Sequence, residues 1–398
     1  MDERRPISSI ELFCGTGGLA LGLHNAGFEH KALYEWNKDS CDNIQANIAA
    51  GYPGIAEWKV HQADVRDVSY DHFRGNIQVI SGGPPCQPFS LGGKAKANND
   101  ARDMFPEAVR AVRDIRPASF IFENVKGLLR SSFAEYFQYI ILQLTYPSRK
   151  KEEGMSWSDH KKMLADYDQE TNGQNAEYHV QYKMVNAADY GVPQSRFRVF
   201  IVGFRNDIHV DWHFPEPTHS YDELLYAKWI SKEYWVKHEL PVPEDVPLSE
   251  KQLVQIKKRV ESSRKRLLPW RTVRDAIGDL PDPRQDEART YLNHDFRPGA
   301  RSYAGHTGSA LDEPSKTIKA GAHGVPGGEN AVVLDSGEVR YYTVRESARI
   351  QTFPDTYQFS TSWTESMRQI GNAVPMRLAE IMGTALHEQL EGVIFRNE

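Results

Sequence analysis

A cysteine held behind two prolines is the first group in this chain that could do covalent chemistry. It stands in Gly82-Gly83-Pro84-Pro85-Cys86-Gln87-Pro88-Phe89-Ser90. The prolines fix the backbone ahead of Cys86, and the glycines permit a tight approach. A lone cysteine is more often a small buried hydrophobe than a nucleophile. A cysteine on a stiffened loop at a ligand-facing strand end is over-determined in position, as a thiol nucleophile needs to be. A carboxyl follows in Phe122-Glu123-Asn124-Val125, and two arginines follow in Gln194-Ser195-Arg196-Phe197-Arg198. If Arg196 and Arg198 flank Phe197 on a strand, both point to one face. Spacing alone leaves a surface ion pair open for these three charged groups.

A second cluster has the form of a cofactor site. An apolar run enters Phe13-Cys14-Gly15-Thr16-Gly17-Gly18-Leu19-Ala20. Gly15, Gly17 and Ala20 fit the G-x-G-x-x-G/A turn, where missing side chains let the backbone approach a nucleotide or nucleoside. Glu35 lies about 20 residues on, where an acid accepts hydrogen bonds from ribose hydroxyls. Trp36 beside it could cover an adenine face, and Asp64 could accept from the adenine amino group. These two turn the expectation from a dinucleotide toward a nucleoside cofactor. Core packing is the competing reading for Trp36.

These residues need a scaffold that brings strand ends together. SSIELF, HKALYEW, EWKVHQA, NIQVISG, ASFIFEN, VQYKMVN and FRVFIVGF read as strands, and amphipathic segments alternate with the early ones. That alternation predicts an α/β fold with a parallel, doubly wound sheet. Ligands of such sheets bind outside the carboxyl ends of the strands. The polar stretch from Tyr146 to Glu177 reads as a surface insertion. Beyond Arg205, proline-rich pieces, isolated aromatics and the glycine-rich GAHGVPGGEN replace the alternation, which predicts a second, less regular domain. The last helix, MRLAEIMGTALHEQLEG, is expected to return to the first domain.

Composition narrows the class of protein. A length of 398 residues predicts two domains. No apolar run is long enough for a membrane span, and the charged N-terminus does not resemble a secretory signal. The three cysteines (Cys14, Cys41, Cys86) lack metal-type spacing, so no metal site is expected, and a cytoplasmic location is. The net charge of −6 does not advertise nucleic-acid binding. Distribution matters more, because from Lys251 to Arg274 basic residues outnumber acids nine to one. Its helical apolar spacing also fits an ordinary solvated face.

Taken together, the motifs resemble the cytosine-5 DNA methyltransferase family of bacterial modification enzymes. The resemblance rests on the glycine turn, Glu35-Trp36, Asp64, Pro85-Cys86-Gln87, Glu123-Asn124-Val125, Gln194-x-Arg196-x-Arg198, Arg345-Glu346-Ser347-Ala348-Arg349 and Gly371-Asn372-Ala373-Val374, in the family's order. It implies a Rossmann-like methyltransferase sheet with a smaller, irregular target-recognition domain. The expected division is 1–205 for catalysis and S-adenosylmethionine binding, completed by 366–398. Residues 206–345 would then recognise the target, and 346–365 would form a hinge. The resemblance makes Cys86, Glu123, Arg196 and Arg198 catalytic, and gives Phe13, Gly15, Gly17, Glu35, Trp36, Asp64 and Asn372 to S-adenosylmethionine. The loop from Ser90 to Asp103 would close over a flipped cytosine. The implied partner is double-stranded DNA, bound by a monomer. A cognate restriction endonuclease would act separately. Within the same fold, a tRNA cytosine-5 methyltransferase is the rival reading, and a catalytically silent DNA-binding module is another. A nicotinamide-dependent oxidoreductase shares the glycine turn but has no use for Cys86 behind two prolines.

Overall fold

Seven strands of the chain form one sheet in a computed structural model that describes residues 5–85, 103–302, 307–320 and 330–394. By its contacts the chain divides into two units. The first is 1–185, 197–214 and 379–398, and the second is 186–196 and 215–378. The second unit therefore takes in Gln194 and Arg196 and continues through Leu378, where the sequence divides most simply at 205 and 366.

The first unit runs β1 (Ile7–Leu12), α1 (Gly18–Asn25), β2 (Phe28–Glu35), α2 (Lys38–Ala49), β3 (Val60–Gln62), β4 (Val79–Gly82), α3 (Phe105–Ile115), β5 (Ser119–Val125), α4 (Ala134–Thr145), α5 (Trp157–Thr171), β6 (Tyr178–Asn186) and β7 (Phe197–Arg205). Strand order is β3-β2-β1-β4-β5-β7-β6. The inner strands read as almost continuous apolar runs because helices cover both faces. Ile10, Leu12, Ile80, Phe120 and Phe122 are fully buried, and α3 packs Phe105, Val109, Val112 and Ile115 on that core. The sheet is not wholly parallel as expected, since β7 runs antiparallel to β5. That reversal has a consequence for the site. It puts the start of β7, not its end, at the edge where the parallel strands finish.

The polar stretch after Tyr146 is also more than a surface insertion. Ser156 caps α5 by accepting from the Asp159 amide, and α5 buries His160 and Leu164 against α4. The apolar positions are sparse, which is why the period was weak in the sequence. Where EWKVHQA promised a full strand, only Val60–Gln62 pair at the sheet's margin. The C-terminal helix (Met376–Ile394) packs so closely on α1 that a Cβ on Gly383 would meet Leu23 at 2.7 Å.

The second unit is built from short pieces: β8 (His219–Ser220), α6 (Tyr221–Trp229), α7 (Glu233–Lys237), α8 (Glu250–Glu261), β9 (Leu268–Pro269), α9 (Val273–Ile277), β10 (Ser309–Ala310), β11 (Ala331–Val333), β12 (Val339–Tyr341), α10 (Val344–Ile350) and α11 (Trp363–Asn372). Leu224, Ala227, Tyr234 and Trp235 form a small apolar centre. Such short elements bury little surface each, so buried polar contacts carry much of the organisation. Arg345 donates to the carbonyls of Leu292, Pro354 and Tyr357, and Arg340 pairs with Glu346 at 2.6 Å. No helix among the described residues is long and apolar enough to cross a membrane.

Candidate active site

The ends of β1, β2, β4 and β5 and the start of β7 lie along one edge of the sheet, and most of the expected site residues lie there. Glu123, near the end of β5, is buried and paired with Arg198, whose Nε stands 2.6 Å from Glu123 Oε1. Register explains the pairing: Val125 lies opposite Arg198, and Glu123 opposite Phe200, across antiparallel strands. Burial pushes the Arg198 guanidinium down from its usual range, and the Glu123 carboxylate opposes that shift. A buried pair of this kind fixes both side chains, and removing either partner costs about 3–5 kcal/mol.

The loop that carries the cysteine starts beside this pair. A Cβ built on Gly83 would sit 3.5 Å from Glu123 Oε2. The Asn124 side-chain amide donates to the Pro84 carbonyl at 2.9 Å, and the Met104 amide donates to the Pro85 carbonyl at 3.2 Å. The base of the loop is thus fastened at its entry and tied to its exit. Cys86 itself and the segment through 102 lie outside the described residues. The other two thiols are poor nucleophiles, since burial pushes Cys14 well up and Cys41 up to about 12.

The turn after β1 takes a left-handed backbone at Phe13 (φ 57°), Gly15 (φ 54°) and Gly17 (φ 85°). Glycine adopts that region without strain, whereas Phe13 does so at a cost of about 1–3 kcal/mol, which is characteristic of ligand clamps. Glu35 braces the turn by accepting from the Gly15 amide at 2.9 Å and the Asn37 amide at 2.8 Å. Trp36 is 73% exposed, which excludes core packing and leaves an indole face open beside Glu35. Asp64 caps the short helix Val65–Asp67 and binds the Arg66 side chain, whose hydrogen bonds hold its carboxyl below the usual range. Sequence reasoning missed Glu11. This carboxyl is buried in β1, accepts from Ser81 Oγ at 3.0 Å and is pushed up to about 8 by burial.

Two expected site residues belong to the second unit. Arg196 immediately precedes β7, which begins at Phe197. Its guanidinium lies fully buried in the second unit and donates to the carbonyls of Ile318, Gly371 and Ala373. Gln194 joins this lock by donating to Gln351 and accepting from the Ile318 amide. Gly371 is required there, since a Cβ would come within 2.4 Å of the Ala320 amide nitrogen. Arg196 is therefore a brace. Asn372 ends α11 in the same unit, with its side chain exposed.

The basic run is less free than its composition implied. Arg259 makes two hydrogen bonds to Asp222, Arg266 pairs with Glu223, and Arg274 pairs with Asp312 and Asp335. Those acids lie far away in sequence, so the charge balance shows only in the fold.

A largely parallel sheet with β7 reversed against β5, a glycine turn with its acid and a buried Glu–Arg pair define a Rossmann-like methyltransferase. The family described as C-5 cytosine-specific DNA methylase matches residues 7–146 and 153–388. The chain belongs to that family and is a DNA (cytosine-5) methyltransferase. It is 32% identical to the Type II methyltransferase M.PspPI of Psychrobacter sp. (strain TA137), over 98% of this chain and 81% of that protein. Identity is also 32% with the Type II methyltransferase M.Eco47II of Escherichia coli, over 96% and 79% respectively. The fold is shared with Spodoptera frugiperda DNMT2 (TM-score 0.57, 16% identity, covering 94% of this chain and 97% of that one). The match leaves only 147–152 of the supposed insertion uncovered, so α5 falls within the family's span.

Proposed function

We propose that this enzyme methylates C5 of a flipped-out cytosine in a specific duplex DNA site, with S-adenosylmethionine as methyl donor and Cys86 as covalent nucleophile. The observation that carries the reading is the Glu123–Arg198 pair at the base of the Pro84-Pro85 loop. Cytosine C5 is too weak a nucleophile to take a methyl group unaided. Addition of the Cys86 thiolate at C6 makes the ring an enamine with a carbanion-like C5. Glu123, carrying a proton, hydrogen-bonds N3 and stabilises the charge that develops on the ring. Arg198 binds O2 and holds Glu123 in place. After methylation, loss of the C5 proton and elimination of Cys86 restore the aromatic ring. The target atom is unreachable inside a duplex, so the base must leave the stack, at a cost of a few kcal/mol.

The left-handed turn, Glu35 and the exposed Trp36 fit a nucleoside donor. Bound S-adenosylmethionine supplies a methyl group on a positively charged sulfur. Phe13, Gly15 and Gly17 shape its seat, and Glu35 accepts from the ribose. Trp36 covers the adenine, while Asp64 and Asn372 complete the set. Glu35→Ala is expected to weaken donor binding by about tenfold or more, since a hydrogen bond to a charged group contributes about 1.5–3 kcal/mol, and Trp36→Ala is expected to weaken it by the loss of stacking on the adenine. DNA affinity without donor should change little. Calorimetry finding unchanged donor affinity in both variants contradicts this placement.

Sequence choice, in this reading, resides in 206–345. Exchange of 206–345 for the equivalent segment of a family member of different specificity should move methylation to the donor's site. An active hybrid that keeps the original site would overturn the division of labour. The role expected of the Gly305–Asn330 loop falls partly on 303–306 and 321–329, outside the described residues. The similarity to Type II methyltransferases supports a role in modification, and in this reading the enzyme acts as a monomer beside a separate restriction endonuclease.

A further inference from the structure

A cleft of about 260 Å³ opens on the first unit, on the outer side of α3 and α4. Pro106 and Val109 of α3 give it an apolar wall, while Arg113, Lys150 and Lys151 give it charge. Among the described residues that line it, none is a carboxylate. Both lysines belong to residues 147–152, the short segment that the family match leaves uncovered. Nothing in the methyl-transfer reading uses them.

The cleft is constructed and is not merely a basic surface. The ring of His160 on α5 donates from Nε2 to the Arg149 carbonyl at 2.9 Å, so Nδ1 must accept from the Tyr139 hydroxyl at 2.8 Å. Burial pushes this imidazole down, which keeps it neutral in that arrangement. The Arg149 guanidinium packs over the Tyr167 ring, 3.2 Å from its centre. These contacts fix the backbone from which Lys150 and Lys151 project. Lys151 also donates to the Met155 carbonyl, and Arg113 leans on Asp114 at 3.2 Å.

Gln143 decides the chemistry. It lines the cleft from α4, is only 8% exposed, and its Nε2 is buried with no hydrogen-bond partner among the described residues. An unpaired buried amide costs about 1–3 kcal/mol, so it calls for an acceptor. Three cationic groups and an amide donor around a small cleft lacking carboxylates match a ligand that only accepts and carries more than one negative charge.

We propose that this cleft binds a phosphate group, held by Lys150, Lys151 and Arg113 and hydrogen-bonded by the Gln143 amide. The source is either free phosphate or a nucleotide, or else the backbone of the DNA substrate. The arrangement does not depend on Cys86, Glu123 or the donor turn.

The test titrates the full-length protein with inorganic phosphate against chloride at matched ionic strength, by calorimetry and by thermal unfolding. Wild type should show saturable binding and a rise in melting temperature that chloride does not reproduce. Lys150→Ala/Lys151→Ala should bind at least about tenfold more weakly, the effect of removing about 1.4 kcal/mol of attraction. Gln143→Leu should lose the phosphate-dependent rise, yet match or exceed wild-type stability in chloride, because it removes an unpaired buried amide. A short duplex without any methylation site distinguishes the sources. Weaker duplex binding by the double-lysine variant, with a shallower salt dependence, assigns the cleft to backbone phosphate. Unchanged duplex binding assigns it to a free ligand. The proposal is overturned if phosphate gives no saturable binding beyond chloride, or if binding survives undiminished in both variants.

Discussion

Cys86→Ser is expected to abolish methyl transfer while leaving donor and DNA affinity within a few-fold of wild type. A hydroxyl is far less ionised than a thiol at neutral pH, so addition at C6 fails and C5 never becomes nucleophilic. The fall should be about 10³-fold or more, equivalent to roughly 4 kcal/mol of barrier at 1.36 kcal/mol per tenfold. Steady-state rates with tritiated methyl donor give the number, and filter binding separates it from lost affinity. The other two cysteines offer no substitute. Burial holds both as thiols, and Cys41 Sγ donates to the Glu35 carbonyl. Activity retained in Cys86→Ser would show that the chemistry is not covalent catalysis at this position.

The Glu123–Arg198 pair gives the second large effect, with a pattern that separates chemistry from folding. Glu123→Gln should lower kcat by about 10²–10⁴-fold, since an amide can hydrogen-bond N3 but cannot deliver a proton. The Gln side chain keeps the shape and leaves Arg198 with an acceptor, so stability should fall modestly. Arg198→Met leaves the buried Glu123 carboxylate without its ion partner at 2.6 Å, and should cost about 3–5 kcal/mol of stability as well as activity. Combining Glu123→Gln with Arg198→Met removes both charges. Most of the stability should return, and none of the activity. Denaturant unfolding of the four proteins measures that coupling as a double-mutant cycle. Additive losses in stability would mean that the two side chains do not act as a pair.

Much of this site was legible because strand ends leave local signals. The run into Phe13-Cys14-Gly15-Thr16-Gly17, the acid at Glu35 and the prolines before Cys86 each follow an apolar strand, and the fold places all three at one sheet edge. Strand direction was not legible. Nothing in FRVFIVGF distinguishes parallel from antiparallel pairing, yet the reversal of β7 is what sets Arg198 against Glu123. The contacts of Arg196 were not legible either. Its partners are carbonyls of Ile318, Gly371 and Ala373, distant in sequence and without any side-chain signature. The same applies to Arg259 and Arg274, whose acids arrive from remote segments. Glu11 escaped because a lone acid in an apolar strand reads as an outward-facing residue, whereas here it is buried against Ser81.

The covalent step is the central claim, and one measurement addresses it directly. Duplex DNA with 5-fluorocytosine at the methylated position carries a substituent that cannot leave as a proton, so the reaction stops after methyl transfer. With S-adenosylmethionine present, wild-type enzyme should form an adduct with that DNA that survives denaturation. Proteolysis and mass spectrometry should place the bond at Cys86, and Cys86→Ser should form none. An adduct in Cys86→Ser, a bond at another residue, or active wild-type enzyme that forms no adduct would each contradict the account.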